Sequence, residues 1–274
     1  MRQAKKSTFK TILYYVVMIG LAFCALAPFA WLLYSAFMPS NFIQSGQIAN
    51  VAPTLENFTG LNRFMSLPVT MKNTVLIALG SVLIDVLVSS LCAYPLAVMD
   101  FPGKKLITSL LIGTMIFPAA AGMVINYMTI SRMHLTDTML GAILPGCVHP
   151  FSILILRQSI RMIPRDAFDA ARIDGAGTFD IFRYVVLPGM SSGIGTVALF
   201  DFINSWNSFL WPQIVLQETE KYPLATMLRH IYGSFGEKSG YIAAGTVISL
   251  LPVVGMVLII QRQLMKTAGS ALSG

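Results

Sequence analysis

Long apolar runs separated by short polar connections set the pattern of this chain. Six of them, at residues 11–38, 74–98, 106–130, 138–156, 185–210 and 241–260, approach or exceed the length needed to cross a bilayer. A membrane helix takes about 20 mostly apolar residues, so each run predicts one crossing. The first could be mistaken for a cleavable leader, because it has a basic start and an Ala25-Leu26-Ala27 resembling a cleavage site. Pro28 follows at once and the apolar run continues uncharged to Met38, which favours a retained span. Pro118, Pro145 and Pro150 fall inside predicted spans and call for bends whose freed backbone groups neighbouring helices satisfy. No repeat relates the two halves, which argues against an inverted-repeat secondary transporter.

Composition strengthens the membrane reading. Of 274 residues 55% are hydrophobic and 11% charged, with a mean hydropathy of +0.70, whereas soluble domains carry about 25% charged residues. The net charge of +7 does not point to nucleic acid, because the basic residues cluster between apolar runs rather than forming one patch. Arg2, Lys5, Lys6, Lys10, Lys104, Lys105, Arg157, Arg161, Arg165, Arg172, Arg183, Arg262 and Lys266 fall on one side of the predicted topology. Only Arg63, Lys72, Arg132, Lys221, Arg229 and Lys238 fall on the other. That bias predicts both termini in the cytoplasm. Cys24, Cys92 and Cys147 all lie in apolar runs, form no CxxC pair, and are expected to be buried, reduced thiols.

The connection between the fourth and fifth runs, residues 163–188, is the most informative polar stretch. Pro164 can open a helix, and Asp166 and Asp169 sit in its early turns, where the positive dipole end favours them. Ala170 and Ala171 leave a bare patch with Phe168 and Ile173 as apolar contacts, and Gly175 and Gly177 break the helix. Thr178 is placed to cap a second short helix leading back to the membrane. The residues alone fit two descriptions: an amphipathic loop lying on the bilayer, or a helix–turn–helix projecting from it.

This stretch resembles the EAA loop of bacterial ABC importer permeases: Glu-Ala-Ala, three residues, Gly, nine residues, Ile, one residue, Leu-Pro. Here it reads Asp169-Ala170-Ala171, Gly175, Val185, Leu187-Pro188. Asp169 stands for the usual glutamate, one methylene shorter, and Val185 for isoleucine. The residues Ala170–Ala176 and Ser205-Trp206-Asn207-Ser208-Phe209-Leu210-Trp211-Pro212 narrow the resemblance to the carbohydrate branch, similar to the second permease of maltose-type importers. The likeness runs from about Asn73 to Gln263. It implies an all-α integral membrane protein with six transmembrane helices, a type I importer permease fold, and a cytoplasmic coupling loop that docks in an ATPase subunit. The division it implies is a tail, first helix and outer loop (1–72), a permease core (73–263) with coupling loop 163–188, and a cytoplasmic tail (264–274). Asp169, Ala170, Ala171, Asp174, Gly175, Leu187 and Pro188 are the expected ATPase-coupling residues. Implied partners are a second permease subunit forming a heterodimer, two ATPase subunits, an external solute-binding protein, a sugar and the lipid bilayer of a bacterial inner or plasma membrane.

No GxxxxGK[ST] occurs, so no cofactor is expected here and ATP with Mg falls to the ATPase partners. No HExxH occurs, and no catalytic or metal residue is expected. Asp85 and Asp201 are the acids deep in the runs, and an ionised group there must face protein or water. Ser81, Ser89 and Ser90 suggest a packing role for Asp85. Asp201, placed in the outer half of the bilayer by counting from Leu187, is a candidate pathway residue with Asn204, Trp206 and Asn207. Trp211 reads as an interface anchor and His149 as a lone helix-packing histidine. A rival function is an ion-coupled secondary transporter working without an ATPase.

Overall fold

The computed structural model describes residues 2–39, 52–235 and 239–272; the connection at 40–51 and Lys238 lie outside them. The helices are α1 (Arg2–Phe37), α2 (Glu56–Gly60), α3 (Leu67–Val98), α4 (Lys104–Thr114), α5 (Met123–Arg132), α6 (Met139–Ile143) and α7 (Pro150–Arg161). They continue as α8 (Arg165–Ile173), α9 (Thr178–Ile181), α10 (Leu187–Gly189), α11 (Ser191–Trp206), α12 (Leu210–Val215), α13 (Leu224–Phe235) and α14 (Ser239–Leu272). No strand occurs among the described residues. The chain divides into two compact units, Met1–Met65 with His230–Leu250, and Ser66–Arg229 with Leu251–Gly274.

Three helical segments are long and apolar enough to cross a membrane: Thr11–Phe37, Leu67–Val98 and Ser239–Ile259. Two bent pairs raise the number to five if each is one crossing: Met139–Gly146 with Pro150–Arg161, bent by 58°, and Thr178–Gly189 with Ser191–Trp206, bent by 72°. The predicted run at 106–130 is not one helix. It stops after Thr114 and resumes as a 3₁₀ turn at Ala119–Gly122 before α5. Pro118 accounts for the break, since it lacks an N–H and drives the residue before it out of the helical region.

In the first unit, Asn57 of α2 holds the end of α1 by donating its amide to the carbonyls of Ala36 (2.9 Å) and Met38 (2.5 Å). Phe64 packs edge-on against Tyr241 with ring centroids 5.3 Å apart.

The second unit is organised around α3, which packs most extensively on α7 and α11. Its amphipathicity is inverted relative to a soluble helix. Thr70, Thr74, Ser81, Asp85 and Ser89 are buried along one stripe, while Leu76, Leu79, Leu83, Leu87 and Leu91 are exposed on another. In lipid, outward leucines cost nothing, whereas a polar group must find a protein partner. Cys92 shares the exposed face and Cys24 is exposed on α1; only Cys147 is buried, so two of the three thiols depart from the expected burial. Their surroundings are apolar helix surface, which in a membrane faces lipid.

Candidate functional site

Pro150 shapes the first site. It forces the residue before it into an extended conformation, and His149 accordingly sits at φ −113°, ψ 129° where α7 begins. The freed His149 backbone N–H donates to Asp85 Oδ1 at 3.2 Å. Ser89 Oγ donates to Asp85 Oδ1 (2.7 Å) and Ser152 Oγ to Asp85 Oδ2 (2.5 Å). Asp85 is therefore fully buried and fully satisfied across two helices. Only Ser89 of its three expected serine partners holds it; Ser81 instead pairs with Ser205 at 3.3 Å, and Ser90 Oγ has no hydrogen-bond partner among the described residues.

His149 Nδ1 lies 3.6 Å from Asp85 Oδ2 and 3.6 Å from Asp201 Oδ1. The histidine is thus no lone packing residue but the bridge between two acids that sequence reading left unpaired. Asp201, on α11, is only 2% exposed, and neither of its oxygens has a hydrogen-bond partner among the described residues. The three side chains offer ligand atoms all within 4.8 Å of one another, a spacing open to a metal ion. However, Asp85 already receives three hydrogen bonds, so the donor set fits an internal polar network better.

A cavity of about 240 Å³ opens against this cluster, lined among others by Asn126, His149, Asp201, Asn204, Ser208 and Trp211. Asp201 and Asn204 are among its lining residues. Trp206 is not: it is 1% exposed and stacks on Phe202 at 5.2 Å in a cluster with Ala78. Asn207 also lies away from it, exposed, with its amide donating to the Ile203 carbonyl at 2.8 Å. Trp211, expected at the interface, turns inward and donates Nε1 to the Gly141 carbonyl at 3.1 Å. The chain bends by 72° between Gly189 and Ser191, so the path from Leu187 to Asp201 is not one straight helix. Asp201 stands opposite Asp85, which is roughly midway along α3 between Asn73 and Leu96, residues about 34 Å apart at about 1.5 Å per residue.

Those two residues mark the ends of the unit. At one end, Asn73 donates to the Glu220 carbonyl (2.7 Å) and Leu224 N–H to Thr74 Oγ1 (2.8 Å). Beside them Asp137 accepts from Lys221 Nζ at 2.5 Å and from the backbone N–H groups of Gln217 and Glu218. The Lys221 ammonium first, and then those N–H groups, hold the Asp137 carboxyl below the usual range. At the other end Arg157 Nε donates to the Leu96 carbonyl at 3.0 Å, and the 163–188 loop begins.

In that loop, α8 starts after Pro164 with Asp166 in its first turn and ends in a Schellman turn. Ala176 N–H donates to the Ala171 carbonyl (3.0 Å) and Gly175 N–H to the Arg172 carbonyl (3.1 Å). Gly175 adopts φ +81°, the left-handed region; nothing lies within 4 Å of where a Cβ would stand, so conformation and not space demands glycine. The second helix begins differently from the expected Thr178 cap. Gly177 occupies the cap position, and its N–H donates to Asp180 Oδ2 at 3.1 Å.

The faces of α8 also differ from expectation. Phe168, expected with Ile173 as an apolar contact, is 7% exposed and sits in a core with Leu96, Leu156, Ile160, Ile181, Phe182 and Val186. Ile173 is 86% exposed, Phe179 is exposed, and the Asp169 side chain, 64% exposed, pairs among the described residues with Arg172 at 3.2 Å. Ala170 and Asp174 are exposed, Ala171 and Leu187 half-buried, and Pro188 is exposed in α10, which follows a π-helical turn spanning Phe182–Val186. A polar cavity of about 620 Å³ is lined by residues of α8 and of the ends of α3 and α7, with Asp100, Lys104, Arg161 and Arg165 on its walls.

The family described as "Binding-protein-dependent transport system inner membrane component" matches residues 4–267. The arabinooligosaccharides transport system permease protein of Halalkalibacterium halodurans is 30% identical, over 92% of this chain and 93% of its own length. The trehalose transport system permease protein of Mycobacterium tuberculosis is 30% identical over 88% of this chain and 89% of its own length. A chain of a bacterial ABC transporter involved in the import of the acidic polysaccharide alginate superposes with a TM-score of 0.81 at 21% identity, covering 94% of this chain and 97% of that one. At that identity the likeness speaks for the fold. The family match runs nearly end to end and agrees with the fold and the apolar helices, so the chain is a multi-pass membrane protein belonging to the binding-protein-dependent transport system inner membrane components, the non-catalytic permease subunits of ABC transporters.

Proposed function

We propose that this chain is a permease subunit of an ATP-driven saccharide importer, that it forms half of the translocation pathway, and that residues 163–188 couple it to an ATPase. The names of the relatives support the saccharide class. In this reading α4 and α5 together complete a sixth crossing, both termini are cytoplasmic, and the division at 1–72, 73–263 and 264–274 holds. The partners are a second permease, two ATPase subunits carrying ATP and Mg, and an external binding protein.

The observation that carries the coupling role is the two-sided build of α8. Its exposed side presents Asp169, Arg172 and Ile173 with little internal bonding, while Phe168 anchors it in the core shared by α3, α7 and α11. A push on the exposed side passes through Phe168 to Ile160 at the end of α7. The first turn of that same helix holds Ser152 against Asp85, beside the cavity. At about 240 Å³ the cavity is smaller than the roughly 300–1,000 Å³ of a complete small-molecule site, as suits a pathway whose facing wall comes from the second permease.

The test is co-purification of the ATPase with the membrane-inserted chain. Ile173→Glu and Gly175→Val are expected to lose the ATPase while retaining the second permease. Retention of both partners by both variants would refute the docking role. The buried Asp85–His149–Asp201 cluster favours one rival, ion-coupled transport, which predicts gradient-driven sugar uptake by the chain alone in liposomes, indifferent to ATP.

A further inference from the structure

We propose that the cavity selects saccharides by charge: uncharged and amine-bearing sugars pass, sugars carrying carboxylate or phosphate do not, and Asp201 is the specificity-determining residue. This rests on the saccharide-pathway reading above.

The argument begins with the charges at the wall. Asp201 is the acid of the lining, His149 its one imidazole, and no Lys or Arg lines it among the described residues. Behind His149 stands Asp85. Two carboxylates share one imidazole, so with both acids ionised the formal charge of the cluster is negative whether or not His149 carries a proton. The site lies midway along α3, far from either polar end, where screening by water and salt is weakest. An entering anion would meet the field of Asp201 with no cation of its own to pair with. The His149 ring already faces both acids, and the Trp211 N–H is committed to the Gly141 carbonyl.

The same features suit the opposite class of ligand. Both oxygens of Asp201 lack hydrogen-bond partners among the described residues, leaving the acceptor capacity of a whole carboxylate. Two adjacent sugar hydroxyls, or a sugar ammonium, can donate to it, while Asn126, Asn204 and Ser208 supply further polar groups around the cavity. Asp201 is shielded in this conformation, so direct contact accompanies the opening that transport entails; the field acts without it. Asp85, by contrast, is saturated by Ser89, Ser152 and the His149 N–H and serves to hold His149 in place.

The experiment uses the full-length chain paired with its second permease in neutral-lipid nanodiscs and saturation-transfer NMR with three trisaccharide probes: maltotriose, a glucosamine trimer and trigalacturonate. The expected order places trigalacturonate weaker than maltotriose by roughly tenfold or more, since like-charge juxtaposition is costly, and the glucosamine trimer at least level with maltotriose. Asp201→Asn, which keeps the shape of the side chain, is expected to close the gap. Trigalacturonate binding as well as maltotriose in the wild type would overturn the proposal without any variant, and so would an unchanged ranking in Asp201→Asn. If none of the three probes binds, the saccharide-pathway reading fails and this proposal with it. Equal binding of all three sinks the charge selection alone.

Discussion

Asp169 and Asp201 are the same residue type in one unit, the first exposed and the second buried. Asp169 is mostly exposed, and its single ion pair to Arg172 spans adjacent turns of one short helix. An exposed pair of that kind contributes about 0–1 kcal/mol. Asp201 is buried against His149 and has no hydrogen-bond partner among the described residues. The first costs the fold almost nothing to keep and is free to engage a partner; the second is expensive and persists through the structure around it. The difference teaches where each kind of function resides: docking chemistry on a surface that contributes little to stability, pathway chemistry in an interior network that the fold must maintain.

Removing the centre of the interior network should have the largest effect. Asp85→Ala strands the Ser89 and Ser152 hydroxyls and the His149 N–H, and is expected to cost about 3–5 kcal/mol, the range for breaking a buried charged network. Thermal unfolding of the detergent-solubilised chain reads this, and a loss below about 1 kcal/mol would put Asp85 in the same class as Asp169. Phe168→Ala, which empties the anchor of the loop, is expected to cost about 3 kcal/mol and to reduce uptake more than ATPase binding, because the exposed face of α8 survives. Gly175→Ala forces a Cβ into the left-handed region and is expected to cost about 1–2 kcal/mol, read by the same unfolding assay.

The smallest effect belongs to the Asp137–Lys221 pair. Its carboxyl is held below the usual range, so the pair stabilises the fold above the unfolded pKa of about 3.9 and loses that contribution as pH falls through the lower folded value. Wild type and Asp137→Asn should therefore differ slightly in melting temperature at neutral pH and converge in acid below about pH 4. A gap that persists unchanged in acid would contradict the assignment.

The apolar runs revealed most of the helices because lipid rewards uninterrupted hydrophobicity, and Gly175 was legible as a turn because a left-handed position has few occupants. Composition could not show that Pro118 divides the third run, since the residues on both sides stay apolar. Nor could periodicity over nine residues reveal that, of the two apolar contacts Phe168 and Ile173, the first packs into the core and the second stays exposed. The Asp85–His149–Asp201 cluster was least visible. His149 lies 64 residues from Asp85 in sequence, and the three meet only because the chain bends before Pro150 and between Gly189 and Ser191. Nor was it visible which residues of α11 face the cavity: Asp201 and Asn204, three apart, line it, while Trp206 is buried against Phe202 and Asn207 is exposed.

Asp169→Ala in the complete reconstituted importer tests the central claim most directly. Its melting temperature should match that of the wild type, because only an exposed ion pair is lost, and pairing with the second permease should be intact. ATP-driven saccharide uptake should nonetheless fall by roughly tenfold or more, the scale of a lost coupling of 1–3 kcal/mol. Unchanged uptake in a stable, correctly paired complex would contradict the account.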